Sequence, residues 1–289
     1  MTDTTQTPRK VPTRRISFEE GLRDVPKHYA VDGDLLLSHF GVALSAVFPD
    51  GEDYFVRSVR NFRDQITDPE LKRQVNGFIG QEAMHGREHR AFNDRMDELG
   101  YPVKVVERLT RWGLAMRERM TSRKSNLAVT AALEHFTATL AEVVLTNQEV
   151  RDHFGHAEVR NLFVWHALEE SEHKAVAFDV YKAVGGTERT RVWVMRGLLV
   201  GFPIGMAFQM LASLALDRDF YKPRKVLASW RRFRKSPVFS KEVRTRLRDY
   251  NRPDFHPDDY DNAELIEQWR EELFGTAGSL NDKLAGKAA

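Results

Sequence analysis

Two Glu-x-x-His motifs are the residues of this chain with the clearest chemical potential. They are Glu82-Ala-Met-His85 and Glu170-Ser-Glu-His173. On an α-helix, residues three positions apart lie on one face about one turn from each other. A carboxylate and an imidazole held in this way can bind one metal ion or bridge two. A single motif arises often on surface helices, so its position relative to the apolar residues decides whether it forms a site.

Both motifs lie within apolar stripes that step by three or four residues. The first stripe runs through Leu71, Val75, Phe78, Glu82, His85, His89, Phe92, Met96 and Leu99. The second runs through Val159, Leu162, His166, Glu170, His173, Val176 or Ala177, Val180 and Val184. These motifs are therefore predicted to face the protein core. His89 and His166 share the stripes, and we interpret each as an additional ligand or as a hydrogen-bond support for one.

Two further helices each place one carboxylate in an apolar stripe, Glu52 and Glu134. Four buried carboxylates would repel one another, and two divalent cations remove that repulsion. The sequence therefore predicts a two-metal centre with the ligands Glu52, Glu82, His85, Glu134, Glu170 and His173. This is the ligand set of ferritin-like di-iron and di-manganese proteins. The order Glu, Glu-x-x-His, repeated with gaps of 30 and 36 residues, is typical of an internal duplication.

The composition restricts what else the chain can be. It contains no cysteine, which excludes disulfides, iron–sulfur clusters and thiolate zinc sites. The oxygen-rich donor set favours two iron ions, with manganese as the alternative. The net charge of +2 gives no argument for nucleic acid. The N-terminus lacks the apolar region of a secretory signal, so we expect a cytoplasmic protein.

The predicted fold class is all-α, a ferritin-like four-helix bundle with extra C-terminal helices. We expect a disordered tail at 1–15, the bundle at 16–190, an apolar helix at 191–220 and a basic helical extension at 221–289. Within the bundle, Pro49-Asp50-Gly51 is predicted to break one helix, and helices are expected at about 69–99, 103–120, 127–150 and 157–184. Four polar residues beside the stripes are expected to be solvated or structural: His135, Glu142, Glu169 and Glu172.

The segment 197–216 contains no charged residue over 20 positions. That length suffices to cross a bilayer, and three alternatives stay open. The segment crosses a membrane, lies against the inner face of one, or forms a buried helix that lines a substrate channel. Basic residues flank both ends, so charge asymmetry assigns no orientation.

The chain resembles the bacterial family of predicted metal-dependent hydrolases, which is grouped with ferritin-like proteins. The resemblance rests on QEAMHGREH at 81–89, LEHF at 133–136 and WHALEESEHKAVAFDVY at 165–181, and it covers about residues 14–260. The family name implies hydrolysis, in which a metal pair activates a bridging water.

Three functions are weighed from the sequence. The leading expectation is an oxidase or oxygenase that acts on a small apolar substrate and uses an electron donor, with a homodimer as one assembly. Metal-dependent hydrolysis is the first alternative, and non-catalytic iron handling is the second. The pattern identifies no catalytic residue beyond the metal ligands and no organic cofactor.

Overall fold

A computed structural model describes residues 10–285. Regular secondary structure in this part of the chain is helical, apart from one isolated bridge between Ile16 and Leu284. The all-α prediction is confirmed. The helices are Glu19–Leu22 (α1), Leu35–Arg60 (α2), Pro69–Glu98 (α3), Val103–Met120 (α4), Arg123–Thr146 (α5), Gln148–His153 (α6), Ala157–His173 (α7), Val176–Ala183 (α8), Glu188–Ala215 (α9), Pro223–Phe233 (α10), Lys241–Asp249 (α11) and Ala263–Phe274 (α12).

Side-chain caps set the starts of the long helices. Asp68 accepts a hydrogen bond from the backbone N–H of Glu70, and Pro69 follows at the first helical position, as the sequence predicts for α3. Ser122 caps α5, which therefore begins at Arg123, a few residues before the predicted start at about 127. Each cap satisfies a backbone donor that the first helical turn leaves without a partner.

The predicted break at Pro49 is wrong, because α2 continues through it. A proline inside a helix removes the hydrogen bond to the carbonyl four residues earlier, here that of Ser45. The Asn93 side chain compensates, since its Nδ2 donates to the Ser45 carbonyl oxygen at 3.1 Å. A residue on a neighbouring helix thus satisfies the group that the proline frees.

Four long helices surround the centre of the molecule. α2 packs against α3, α5 packs against α7, and contacts of α2 with α5 and of α3 with α7 close the ring. Along α3, Val75 and Phe78 belong to one buried apolar cluster, and Phe92 and Met96 belong to another. The polar stripe residues lie between these clusters. This is the arrangement expected of a four-helix bundle; the ferritin-like assignment stays a prediction.

The predicted helix 157–184 is interrupted directly after its last ligand candidate. α7 ends at His173, and α8 begins at Val176. Lys174 between them is buried, and its Nζ donates to Asn262 Oδ1 at 2.8 Å. The C-terminal part of the chain therefore holds this turn. The proposed domain boundaries at 190 and 220 stay predictions.

The N-terminal segment differs from the expectation of a disordered tail. Residues 1–9 lie outside the described residues. Residues 10–15 are packed on the bundle, with Val11 buried and Arg14 paired with Glu169 at 2.8 Å and with Glu172 at 2.7 Å. The buried carboxylates of Glu169 and Glu172 therefore hold this segment through Arg14. Both lie more than 150 residues from Arg14 in the sequence, so the sequence alone does not indicate the pairing.

Two helices, α5 and α9, are long and apolar enough to span a membrane by length and composition. The apolar window of α5 is 67% buried, as in the core helix of a soluble protein, whereas that of α9 is only 17% buried. α9 contacts α2 and α5 along one side. The apolar segment therefore has one packed face and one exposed face.

Arg191 attaches α9 to the C-terminal segment. Its side chain is fully buried, donates to the backbone oxygens of Tyr250 and Arg252, and pairs with Glu188. Such an arginine is stabilising only while all of its donors are satisfied.

Replacing Arg191 by methionine should lower the free energy of unfolding by about 3 kcal/mol, because two buried carbonyl oxygens lose their donors. Urea unfolding followed by circular dichroism measures this change. Arg196→Met on the exposed side of the same helix is the matched control, and it should leave the midpoint nearly unchanged. Equal midpoints for the two variants would contradict the anchoring role.

Candidate metal centre

The six residues predicted as ligands converge in the middle of the bundle. Each is buried, with less than 4% of its surface exposed. His173 Nε2 lies 3.3 Å from Glu82 Oε1, 3.3 Å from Glu134 Oε2 and 3.5 Å from Glu170 Oε1. His85 Nδ1 lies 3.6 Å from Glu170 Oε1. The structure thus brings together donors from α2, α3, α5 and α7.

Most donor atoms of this cluster have no hydrogen-bond partner within residues 10–285. The atoms are both carboxylate oxygens of Glu52, Glu82 and Glu134, Glu170 Oε2, His85 Nδ1 and His173 Nε2. Buried polar atoms are nearly always paired, and an unpaired carboxylate is costly. A group of unpaired lone pairs that face one another is the arrangement that cations satisfy.

His85 is oriented by a residue outside the predicted ligand set. Its Nε2 lies 3.1 Å from Glu169 Oε2, and this carboxylate is fully buried and paired with Arg14. A carboxylate accepts, so Nε2 carries the proton and donates it. The lone pair on Nδ1 is then directed at Glu82 and Glu170. This is the carboxylate–histidine–metal arrangement common in metalloproteins.

His173 is oriented in the same way by Gln81. The Gln81 amide nitrogen donates to the backbone oxygen of Pro12 and to Glu172, which fixes Oε1 as the atom that faces His173. His173 Nδ1 lies 2.9 Å from this oxygen and must donate to it. The lone pair on Nε2 is therefore directed at the three carboxylates.

A chain of hydrogen bonds also fixes the tautomer of His166. Asn93 uses its amide nitrogen on a backbone oxygen, so its Oδ1 accepts from the Ser45 hydroxyl at 2.7 Å. Ser45 Oγ then accepts from His89 Nδ1 at 2.8 Å. In a neutral imidazole the other nitrogen is an acceptor, so His89 Nε2 accepts from His166 Nδ1 at 2.7 Å.

The consequence is a lone pair on His166 Nε2 that faces two carboxylates. Glu170 Oε1 lies 2.9 Å away and Glu52 Oε1 lies 3.7 Å away. Acceptors that face one another repel unless a cation or a proton lies between them. The Nε2 lone pair of His166 is therefore available to a cation, and His89 is the residue that orients this imidazole. The sequence stripe alone does not distinguish these roles.

The electrostatics of the cluster agree with this geometry. Burial and neighbouring carboxylates raise the pKa values of Glu52 and Glu134 well above the ordinary range. Burial alone would lower the pKa of His85, but Glu169 and Glu82 raise it to about 10. Without a metal, protons take the place of cations between these donors. Metal binding must displace them.

Burial lowers the pKa of His89 and, together with neighbouring His85, that of His166. Both imidazoles are therefore neutral, which is the form that binds a metal or supports a ligand. Three imidazoles and four carboxylates fit two cations. Two groups, each with donor atoms within 4.8 Å of one another, lie in the cluster: Glu52, His85 and His166, and Glu82, Glu170 and His173.

Three of the four residues predicted as solvated or structural are buried: His135, Glu169 and Glu172. The packed N-terminal segment pairs with Glu169 and Glu172, which support the centre through His85 and Gln81. Sequence reasoning also missed Gln81, Ser45 and Asn93. Gln81 lies next to Glu82 and Asn93 lies one helical turn from His89, which are the signals that could have indicated them, whereas no such signal indicates Ser45. His135 and Glu142 contact Arg246, which fits a structural role.

One other group of metal-capable side chains lies among residues 10–285, formed by His28, His39 and Asp217. Asp217 Oδ2 lies 2.9 Å from His28 Nε2 and 3.0 Å from the Lys27 ammonium. The lysine already supplies positive charge to this carboxylate. The group is therefore a hydrogen-bonded ion cluster that attaches the end of α9 to the N-terminal segment.

A family model described as "predicted metal-dependent hydrolase" matches residues 12–261. The chain belongs to this family. No curated protein and no solved structure matches it significantly. The family match confirms a metal-dependent enzyme as the class of function, in agreement with the buried donor cluster.

The same match overturns our leading expectation from the sequence. We expected an oxidase or oxygenase because this ligand set occurs in many oxygen-activating proteins. The family identification supports hydrolysis instead, which was the alternative. The ligand set was a poor guide because the same donors hold metal ions for either chemistry.

Metal binding should stabilise the protein, because a cation removes the repulsion among the buried carboxylates. At an ion concentration one hundred times the dissociation constant, the gain should be about 3 kcal/mol per site. Glu134→Gln should stabilise the metal-free protein and reduce the gain on adding manganese(II). Thermal unfolding with chelator and with manganese(II) measures both effects. Glu98→Gln, on the exposed surface of α3, is the control, and a wild-type response in E134Q would contradict the assignment.

Proposed function

We propose that this protein is a two-metal hydrolase that cleaves an apolar ester or amide substrate. The observation that carries the proposal is that three buried histidines each direct a lone pair at carboxylates while their other nitrogen is held by a hydrogen bond. Hydrogen bonds within the protein alone would leave this arrangement repulsive. The proposed ligands are Glu52, Glu82, His85, Glu134, Glu170 and His173, with His166 as the seventh.

Iron(II) and manganese(II) are the ions that this donor set favours, since carboxylates and imidazoles predominate and thiolates are absent from the sequence. Bound divalent ions would lower the pKa of a water molecule and stabilise the negative charge that develops on a carbonyl oxygen. The ligand order Glu, Glu-x-x-His in two halves supports a ferritin-like ancestry for the bundle.

A large apolar cavity leads to the centre. Its volume is about 470 Å³, within the usual range for small-molecule sites. Glu52, His166 and Glu170 form its polar end, and the walls are mainly Leu, Val and Phe side chains from α2, α5 and α9. Because these walls exclude water from most of the cavity, the substrate should have a long apolar part. Its scissile bond would lie beside Glu52, His166 and Glu170.

The protein's own residues then have defined tasks. Glu169 and Gln81 hold His85 and His173, and the chain from Asn93 to His89 holds His166, so the ligands need little rearrangement during a reaction. Phe48 packs edge-to-face on both His89 and His166 at ring distances of 4.9 Å. Phe48 also lines the cavity beside His166.

Metal content tests the ligand assignment directly. Purified wild-type protein should hold about two ions per chain. Glu82→Ala and His173→Ala should lose most of the metal, because each removes a donor from the group formed by Glu82, Glu170 and His173. His166→Ala should retain about one ion, since Glu82, Glu134, Glu170 and His173 remain. Elemental analysis after dialysis gives the ratio, with Glu98→Ala as the control. Full metal content in all three variants would refute the site.

Chain-length preference tests the cavity. Gly205 lines the cavity, and a Cβ built there meets no atom within 4 Å. Gly205→Leu should therefore fold and fill part of the cavity. For p-nitrophenyl esters, kcat/KM should fall at least tenfold with long acyl chains, because each excluded methylene is worth about 0.8 kcal/mol. Short acyl chains should be affected little.

Gly197→Leu is the matched control, because Gly197 lies on the exposed side of α9, also has free space, and does not line the cavity. Metal-loaded protein that cleaves no ester or amide would contradict hydrolysis. An equal loss for short and long chains in G205L would contradict the role of the cavity.

A further inference from the structure

One face of α9 exposes an unusual amount of apolar surface. Large apolar side chains recur on it with helical spacing, and each is at least 61% exposed: Trp193, Val200, Ile204, Phe208 and Leu211. Charged residues are absent from position 197 to position 216. Apolar patches of this extent on soluble proteins mark binding surfaces for proteins or membranes.

Most of the exposed large apolar side chains lie on the outer faces of two helices, α4 and α9, whose inner faces line the cavity. Among residues 10–285, the exposed large apolar side chains lie on α4, on the segment 193–230 and at Phe239. α9 lines the cavity with its inner face through Leu198, Phe202 and Met206, and α4 lines it through Leu114. The same two helices thus separate the cavity from the exterior and present apolar residues outward.

Positive charge surrounds this apolar face. Residues 188–235 contain eleven Lys and Arg against three Asp and Glu, a net charge of +8. Because the whole chain carries only +2, the remaining residues carry −6. In α10, Leu227 and Trp230 are exposed together with Arg224 and Arg231. An apolar stripe with basic residues at both ends is typical of helices that lie in a membrane interface.

We propose that α9 and α10 form a membrane face, defined by the exposed side chains of residues 193–231, that binds the surface of an anionic phospholipid bilayer. α9 would lie in the plane of the interface, with its apolar stripe among the acyl chains and the flanking Lys and Arg at the lipid headgroups. An anionic surface is the complementary partner for a net charge of +8 next to exposed Trp and Phe side chains.

The packing of α9 argues against a transmembrane span. Its inner face is buried against the protein, where Met206, Met210 and Leu214 join an apolar cluster with Leu35 and Leu36 of α2. A span would need lipid around the whole helix and would remove these contacts. The buried Arg191, with its carbonyl partners, would also have to be drawn into lipid or released.

Self-association through this face is disfavoured by its charge. A symmetric dimer joins the same patch of two copies. Basic residues flank both ends of the stripe, so either relative direction of two α9 helices brings like charges together. Within residues 10–285, the exposed large apolar side chains outside segment 193–230 lie on α4 and at Phe239. The membrane is therefore the occupant that satisfies the apolar stripe and the positive charge together.

Binding to a bilayer would place the walls of the cavity at the interface. If the proposed function is correct, an apolar substrate would reach the metal centre from the bilayer through the gap beside α9 without crossing water. The docking itself does not depend on the reaction, so the two proposals can fail separately.

Vesicle cosedimentation tests the docking. The wild-type protein should bind vesicles of phosphatidylcholine mixed with phosphatidylglycerol, bind phosphatidylcholine alone much more weakly, and lose affinity as salt is raised. Arg224→Gln combined with Arg231→Gln should lower the partition coefficient on the order of thirtyfold, from two lost basic residues. Ile204→Ser combined with Phe208→Ser should lower it at least tenfold, because both side chains are already exposed to solvent in the free protein.

Arg23→Gln combined with Lys72→Gln is the matched control, since it removes the same charge from the residue after α1 and from α3, neither of which lines the cavity. It should bind nearly as the wild type does. Glu82→Ala should also bind vesicles normally, which separates docking from metal chemistry. Hydrolysis of a soluble short-chain ester without vesicles tests the active site alone.

Three outcomes would overturn the proposal. One is equal binding of the wild type and both face variants. The second is release of the bound protein from vesicles by detergent but not by salt, together with quenching of Trp193 fluorescence by lipids brominated at the bilayer centre. These two results would indicate that α9 spans the bilayer. The third is a dimer in sedimentation analysis that the Ile204→Ser and Phe208→Ser changes convert to a monomer without vesicles.

Discussion

The buried carboxylates at the middle of the bundle are the constraint on which the rest of this structure depends. Glu52, Glu82, Glu134 and Glu170 come from four helices and meet where two apolar clusters exclude water. Removing one carboxylate from water costs several kcal/mol, and bringing four together adds repulsion. A fold that keeps them there must be compensated by cations or by protons. In the metal-free protein, burial and repulsion between the carboxylates raise the pKa values of Glu52 and Glu134, so protons bind where cations are absent.

The supporting hydrogen bonds explain why parts of the chain outside the four helices are packed so closely. Glu172 accepts from Arg14, from Arg270 of α12 and from Gln81, at 2.6 to 2.7 Å. Through Gln81 this carboxylate helps to orient His173. The N-terminal segment and the last helix therefore hold a ligand that neither of them contacts directly. Such distant support is common around metal sites, because a ligand that rotates freely binds metal poorly.

The apolar cavity and the exposed face of α9 are two sides of one helix. A helix with apolar residues all around it is normally buried or in contact with lipid. Here one side packs on α2 and α5 and encloses the cavity, and the other side is open. Gly201 and Gly205 line the cavity without side chains, which leaves space inside it. The metal centre lies behind this wall, away from bulk water.

The sequence by itself determined most of the helices and the inward direction of the six predicted ligands, because helical spacing and the apolar stripes are local properties of the chain. The caps of α3 and the two Glu-x-x-His motifs are of this kind. It did not determine whether Pro49 breaks α2, since the compensating donor, Asn93, comes from another helix. Nor did it determine the roles of His166, His89 and Glu169. Those roles depend on which nitrogen carries a proton, and a chain of contacts between distant residues decides that. The tertiary structure alone decides which histidine Ser45, Asn93, Gln81 and the N-terminal segment support, because these contacts join residues of different helices and segments.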